Sequence, residues 1–226
     1  LQLYGGGRGL SFDGVRLKIE GVVIGTAINF ERVLFSGSAL DDRIEGSPLD
    51  DAYTLNAGAD TADGGDGADS LDGGAGNDLL NGENGADTLI GGLGANTLNG
   101  GADNDLLTLG ADTLADVANG GSGADTLIAS FTGTGALLMT GALPAAATIT
   151  QGGSTILTMT GVDAVNLTGA GGNDLLFGGA LADTLNGSTG ADTLLGGNGA
   201  DFLISDNNQG PDSLDGGSGS DLARIN

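Results

Sequence analysis

Gly64-Gly65-Asp66-Gly67-Ala68-Asp69-Ser70-Leu71-Asp72 runs straight into Gly73-Gly74-Ala75-Gly76-Asn77-Asp78-Leu79-Leu80-Asn81, and the two stretches match column for column. Glycine fills columns one, two and four, aspartate column six and leucine column eight. Cutting the chain every nine residues from Gly37 keeps this frame through residue 108. Column six then reads Asp42, Asp51, Asp60, Asp69, Asp78, Asp87, Asn96 and Asp105. Column eight reads Ile44, Tyr53, Ala62, Leu71, Leu80, Leu89, Leu98 and Leu107. Leu109 and Gly110 are inserted, and the frame resumes at 111 and at 120, where the latter unit carries Asp125. A second array opens at Gly169 with Asp174, Asp183, Asp192 and Asp201 in column six. After a second insertion, Ser205-Asp206, it ends on Asp212 and Asp221. Self-similarity at a fixed period marks a repeat architecture in which stacked units share a core.

A longer repeat overlies the short one. Residues 30–36 precede the first array and residues 162–168 the second, and both are apolar and β-branched leaders that read as strands. Between the arrays, Ala136-Leu137-Leu138-Met139 and Thr155-Ile156-Leu157-Thr158-Met159 are further strand-like runs. The expected layout is a strand leader or cap over 1–36, a first roll over 37–128, an intervening strand segment over 129–168 and a second roll over 169–226. The fold class is all-β.

Composition agrees with a repeat and removes other readings. The 226 residues include 47 glycines and only 3 prolines, with no cysteine, histidine or tryptophan and a net charge of −24. Lack of Cys and His excludes zinc-finger, iron–sulfur and His-dependent nucleophilic chemistry. The negative charge argues against DNA, RNA or an anionic membrane as partner. No apolar run approaches the roughly 18–20 residues of a membrane span. The chain starts at Leu1 with neither Met nor a basic leader, so it is expected to be a piece of a longer protein without a signal peptide at this end. Arg8, Arg16, Lys18, Arg32 and Arg43 gather near the start and read as ordinary surface charge.

The nonapeptide cannot stand on apolar burial alone. Ordering nine residues costs more conformational entropy than one buried leucine returns. The column-six carboxylates would also stack and repel one another. Cations resolve both difficulties. The ligands on offer are carboxylate and carbonyl oxygens in a flexible glycine loop, which is hard-cation chemistry. Calcium accepts about six to eight oxygens at variable geometry, whereas magnesium demands an octahedron and keeps its waters, so several calcium ions are expected.

The pattern resembles the repeats-in-toxin (RTX) motif, G-G-x-G-x-D-x-U-x with U a large aliphatic residue. Full G-G-x-G-x-D matches start at Gly64, Gly73, Gly120, Gly196 and Gly216. The resemblance implies right-handed parallel β-rolls with calcium between loops two units apart. One loop would give the carbonyls of columns two and four and its column-six Asp. The other would give the carbonyls of columns one and three and its own Asp. On this chain that implies Gly65, Gly67 and Asp69 with Gly82, Asn84 and Asp87, and Gly74, Gly76 and Asp78 with Gly91, Leu93 and Asn96. Asp60, Asp105, Asp125, Asp174, Asp183, Asp192, Asp201, Asp212 and Asp221 are the further metal candidates.

Members of this family are exported unfolded by type I secretion and fold in extracellular calcium. The resemblance therefore implies a secreted, non-catalytic calcium-binding module. Its alternatives are an accessory domain of a secreted protease, lipase or polysaccharide epimerase, or a segment of a surface adhesin or surface layer. A cell-surface or polysaccharide partner is left open.

Overall fold

Turn-forming columns one to six and a short apolar strand after them dictate a coil that reverses every nine residues. The computed structural model shows this coil over residues 34–206 and 210–226, together with the backbone of Gln2–Tyr4, Leu10–Asp13, Arg16–Ile19 and Val22–Thr26. Residues 30–33 of the first leader, Arg8, Arg32 and the opening of the unit at 207 lie outside the described residues. Every regular element among the described residues is a β-strand.

Successive units alternate between two sheets. Ala52–Thr54, Ser70–Asp72, Thr88–Ile90 and Leu106–Thr108 lie side by side in an eleven-stranded sheet. Arg43–Ser47, Thr61–Asp66, Leu79–Asn84 and Thr97–Ala102 lie in the facing fourteen-stranded sheet. One full turn therefore takes two units, and column eight stacks on column eight: Tyr53 on Leu71 on Leu89 on Leu107, and Ile44 on Ala62 on Leu80 on Leu98. All of these side chains are buried, and together they form a thin core between the sheets. The insertions at Leu109-Gly110 and Ser205-Asp206 lengthen single turns without breaking the stack. Leu107 still meets Leu127, Leu98 meets Ala118 and Leu203 meets Ala223.

Both leaders are rungs of the same coil. Leu34–Ser36 pairs in parallel with Gln2–Tyr4 and Ala52–Thr54. Ala164–Thr168 pairs in parallel with Thr126–Ser130 on one side and Thr184–Asn186 on the other. The eleven-stranded sheet thus runs through both arrays. The fourteen-stranded sheet carries a meander between them: Leu137–Ala142, Ala146–Gln151 and Ser154–Thr160 pair antiparallel. Its outer strands join the arrays in parallel, Ser154–Thr160 to Asp116–Ser122 and Leu137–Ala142 to Leu175–Phe177. Among the described residues no helix is long and apolar enough to cross a membrane.

Candidate metal centre

The loops that connect the two sheets stack into two edges, and column six lies on both. Glycine is required where these loops crowd. Gly65 and Gly67 have φ of 109° and 117°, a left-handed backbone that residues with a Cβ rarely adopt. At Gly82 a methyl would collide with Asp87 Oδ2 and would stand 2.6 Å from Gly100 O. A side chain there would fill the space into which a carboxylate oxygen and a carbonyl of the next turn both point.

From Asp60 on, each column-six carboxylate accepts a main-chain N–H of the neighbouring turn through one oxygen. Asp51 N–H donates to Asp69 Oδ1 at 2.6 Å, Asp69 to Asp87 at 2.7 Å, and Asp87 to Asp105 and Asp105 to Asp125 at 2.9 Å. On the opposite edge the same ladder runs from Asp42 through Asp60, Asp78 and Asn96 to Asp116. In the second array Asp174, Asp192 and Asp212 form one ladder and Asp183, Asp201 and Asp221 the other. The period thus brings the sequence-derived aspartates together in stacked pairs one turn apart.

The second oxygen separates them. Asp60, Asp69, Asp78, Asp87, Asp105, Asp125, Asp192 and Asp201 each bury an Oδ2 that has no hydrogen-bond partner. Their residues are at most 3% exposed. An unpaired carboxylate oxygen in such surroundings is costly, so it takes a proton or a cation. Burial, opposed by the main-chain hydrogen bond and reinforced by the carboxylates of adjacent turns, pushes Asp69 and Asp105 up to about 7. The same balance raises Asp60 and Asp87 to about 6.

Elsewhere the second oxygen is satisfied by the protein. Asp42 Oδ2 accepts Ser38 N–H at 2.6 Å, and Asp51 Oδ2 accepts Ser47 Oγ at 2.8 Å and the Tyr53 hydroxyl at 2.7 Å. Asp174 and Asp183 take the main-chain N–H of Ala170 and Gly179 at 3.0 and 2.7 Å, and Asp212 takes the Ser205 hydroxyl. Asp221 is exposed.

The two ligand sets implied by the motif are brought together differently. For Gly65, Gly67, Asp69, Gly82, Asn84 and Asp87, the loops stack directly, with Gly67 N–H on Asn84 O at 2.9 Å, and both Oδ2 atoms are orphaned. For Gly74, Gly76, Asp78, Gly91, Leu93 and Asn96, the loops also stack, with Gly76 N–H on Leu93 O and Leu93 N–H on Gly74 O, each at 2.8 Å. There the Asn96 amide donates to Gly94 O at 3.2 Å and, weakly, to Gly92 O at 3.5 Å. It covers the column-two and column-four carbonyls of its own loop.

Two acidic residues outside the sequence-derived set belong to the ladders. Asp116 is in column six of the unit at 111, is 7% exposed and is pushed up to about 7 mainly by burial. Its period was visible; only its glycine pair is missing. Asp163 accepts Asp125 N–H, and no period announces it. A second set of contacts lies in column five, where Asp41, Asp50, Asn77, Asn104 and Asn173 each accept the N–H of an alanine in the same column one turn later.

Among the described residues no three acidic, His or Cys side chains gather at one point. A cation between two stacked loops therefore meets at most two carboxylates, and its remaining protein ligands are carbonyls. Orphaned carboxylate oxygens, glycine-lined space and an all-oxygen donor set fit calcium. No curated protein sequence matches the chain. The family profile of the RTX calcium-binding nonapeptide repeat matches residues 45–80, 54–89, 81–113, 111–131, 161–183, 177–209 and 206–223, about two-thirds of the chain. The chain belongs to the RTX calcium-binding nonapeptide-repeat family, and its repeats form a structural β-solenoid that binds several calcium ions.

Proposed function

We propose that the chain is a non-catalytic folding module of a type I secretion substrate, extended in the low calcium of the cell and wound into its solenoid by the calcium outside. The observation that carries this reading is the row of eight buried Oδ2 atoms without partners. A chain of net charge −24 that stacks carboxylates in this way opposes its own folding until the charge is neutralised. Calcium supplies the missing partner to each oxygen and ties consecutive turns together.

The ions would lie between Asp69 and Asp87, Asp87 and Asp105, Asp105 and Asp125, and Asp60 and Asp78, with further ions along the Asp174–Asp192–Asp212 and Asp183–Asp201–Asp221 ladders. Column-one to column-four carbonyls, such as those of Gly65, Gly67, Gly82 and Asn84, complete the shells. Because binding free energy is then folding free energy, metal and structure should appear together. Far-ultraviolet circular dichroism of the calcium-stripped chain should show disorder, with β-structure gained cooperatively on adding millimolar calcium. An equally ordered spectrum in EGTA at neutral pH would sink the reading.

A further inference from the structure

The nine-residue frame stops at Ile128 and resumes at Gly169, yet the ladder does not end where the frame does. Asp125 is fully buried; its Oδ1 accepts Asp105 N–H, and its Oδ2 has no partner. In a regular turn the next loop would supply a column-one carbonyl and a column-six carboxylate. Here Gly161 and Asp163 stand in those places. A methyl on Gly100 would meet Asp105 Oδ2 and Gly120 O, the latter at 2.5 Å. A methyl on Gly120 would meet Asp125 Oδ2 at 2.6 Å and collide with Gly161 O.

The hydrogen bonds repeat as well. Asp125 N–H donates to Asp163 Oδ2 at 3.1 Å, as Asp105 N–H donates to Asp125 Oδ1 at 2.9 Å. Ala164 N–H donates to Asp125 O at 2.9 Å, as Thr126 N–H donates to Asp105 O at 2.9 Å. Gly161, at φ 62°, brings its backbone against Gly121, so that a Cβ would stand 3.0 Å from Gly121 O. A loop with one residue between glycine and aspartate thus offers the oxygens that a full nonapeptide offers with four between them.

We propose that Asp125 Oδ2, Asp163 and the main-chain carbonyls of Gly121 and Gly161 hold a further calcium ion, at the junction of the two arrays, where the loop of Gly161 and Asp163 is not a nine-residue unit. The site rests on the calcium reading above and extends it across the junction, where the nine-residue frame is interrupted. It makes the Thr160–Asp163 turn a metal-bearing rung and carries the row of ions from the first array to the meander.

Two measurements on the full chain test this. Equilibrium dialysis should find one calcium ion fewer bound to Asp163→Asn than to the unsubstituted chain, because Asn keeps an acceptor for Asp125 N–H and loses the charge. An unchanged ion count in a folded variant overturns the site. Should the variant not fold, anomalous scattering from crystals of the unsubstituted chain grown with calcium decides. A peak about 2.3–2.6 Å from Asp125 Oδ2 and Gly161 O supports the site. Peaks in the repeats with none at the junction overturn it alone, and no peak anywhere overturns the proposed function with it.

Discussion

At the scale of the residue, the contrast between Asn96 and its neighbours separates the two jobs of column six. Asn96 Oδ1 still accepts Asp78 N–H at 3.0 Å, so the ladder passes through it unbroken. Its amide occupies carbonyls of its own loop, so this rung needs no ion. Asn96→Asp should therefore raise the number of bound calcium ions by one, read by equilibrium dialysis; an unchanged number would mean that Asp78 already shares its ion with Asn96. The orphaned oxygens also fix the pH response of the metal-free chain. Asp60, Asp69, Asp87 and Asp105 titrate at about 6 to 7 in the fold, well above their ordinary value of 3.8. Between roughly pH 4 and 7 the fold thus holds more protons than the unfolded chain, and its stability rises as pH falls. Without calcium, β-structure should be greater at pH 5 than at pH 7.5, and a spectrum that does not change would contradict the buried, unpaired state of these groups. The period reveals these carboxylates. It does not reveal which are already satisfied, because that depends on a donor such as Ser38, Ser47 or Ser205 beside a particular oxygen.

At the scale of the element, a nonapeptide is a loop that binds and a strand that buries one side chain. Leu89 is fully buried between Leu71 and Leu107, with apolar partners on both sides and no polar contact to lose. Leu89→Ala should cost about 2–5 kcal/mol through lost burial and the cavity left behind. Urea denaturation in saturating calcium would measure it, and a cost near zero would show that the turns collapse around the gap. The alternation of units between sheets was legible only through the family resemblance, which implies loops stacked two units apart; a period of nine with one inward position fits one unit per turn as well. The meander was legible only in part. Apolar, β-branched runs at 136–139 and 155–159 announce strands, and both fall within strands of the structure, apart from Ala136 just before the first. That they pair antiparallel through Ala146–Gln151, between strands that join the two arrays in parallel, depends on contacts with no local period.

At the scale of the whole molecule, the arrays are joined more closely than two rolls in series would be. Thr126–Ser130, Ala164–Thr168 and Thr184–Asn186 are consecutive neighbours in one sheet, so the eleven-stranded face carries straight across the junction. There the core line steps by two residues: Leu127 faces Val165, while Ala129, Leu167 and Leu185 continue the second array. On the other face the strands interlock. Leu137–Ala142 and Ala146–Gln151 come from the N-terminal side of the Gly152-Gly153 turn, yet they lie between Ser154–Thr160 and Leu175–Phe177 from its C-terminal side. That turn is open, since a Cβ on either glycine would meet nothing within 4 Å. A protease site inserted between Gly152 and Gly153 should therefore be cleavable without releasing either piece. In calcium the nicked chain should elute as one species and melt in one transition, because separation would expose strand edges and core on both faces. Removing calcium should let the pieces part, since each array would lose the ions that hold its turns. Separation of the nicked pieces while calcium remains would show that the arrays are independent units and that the shared sheet contributes little to the stability of either.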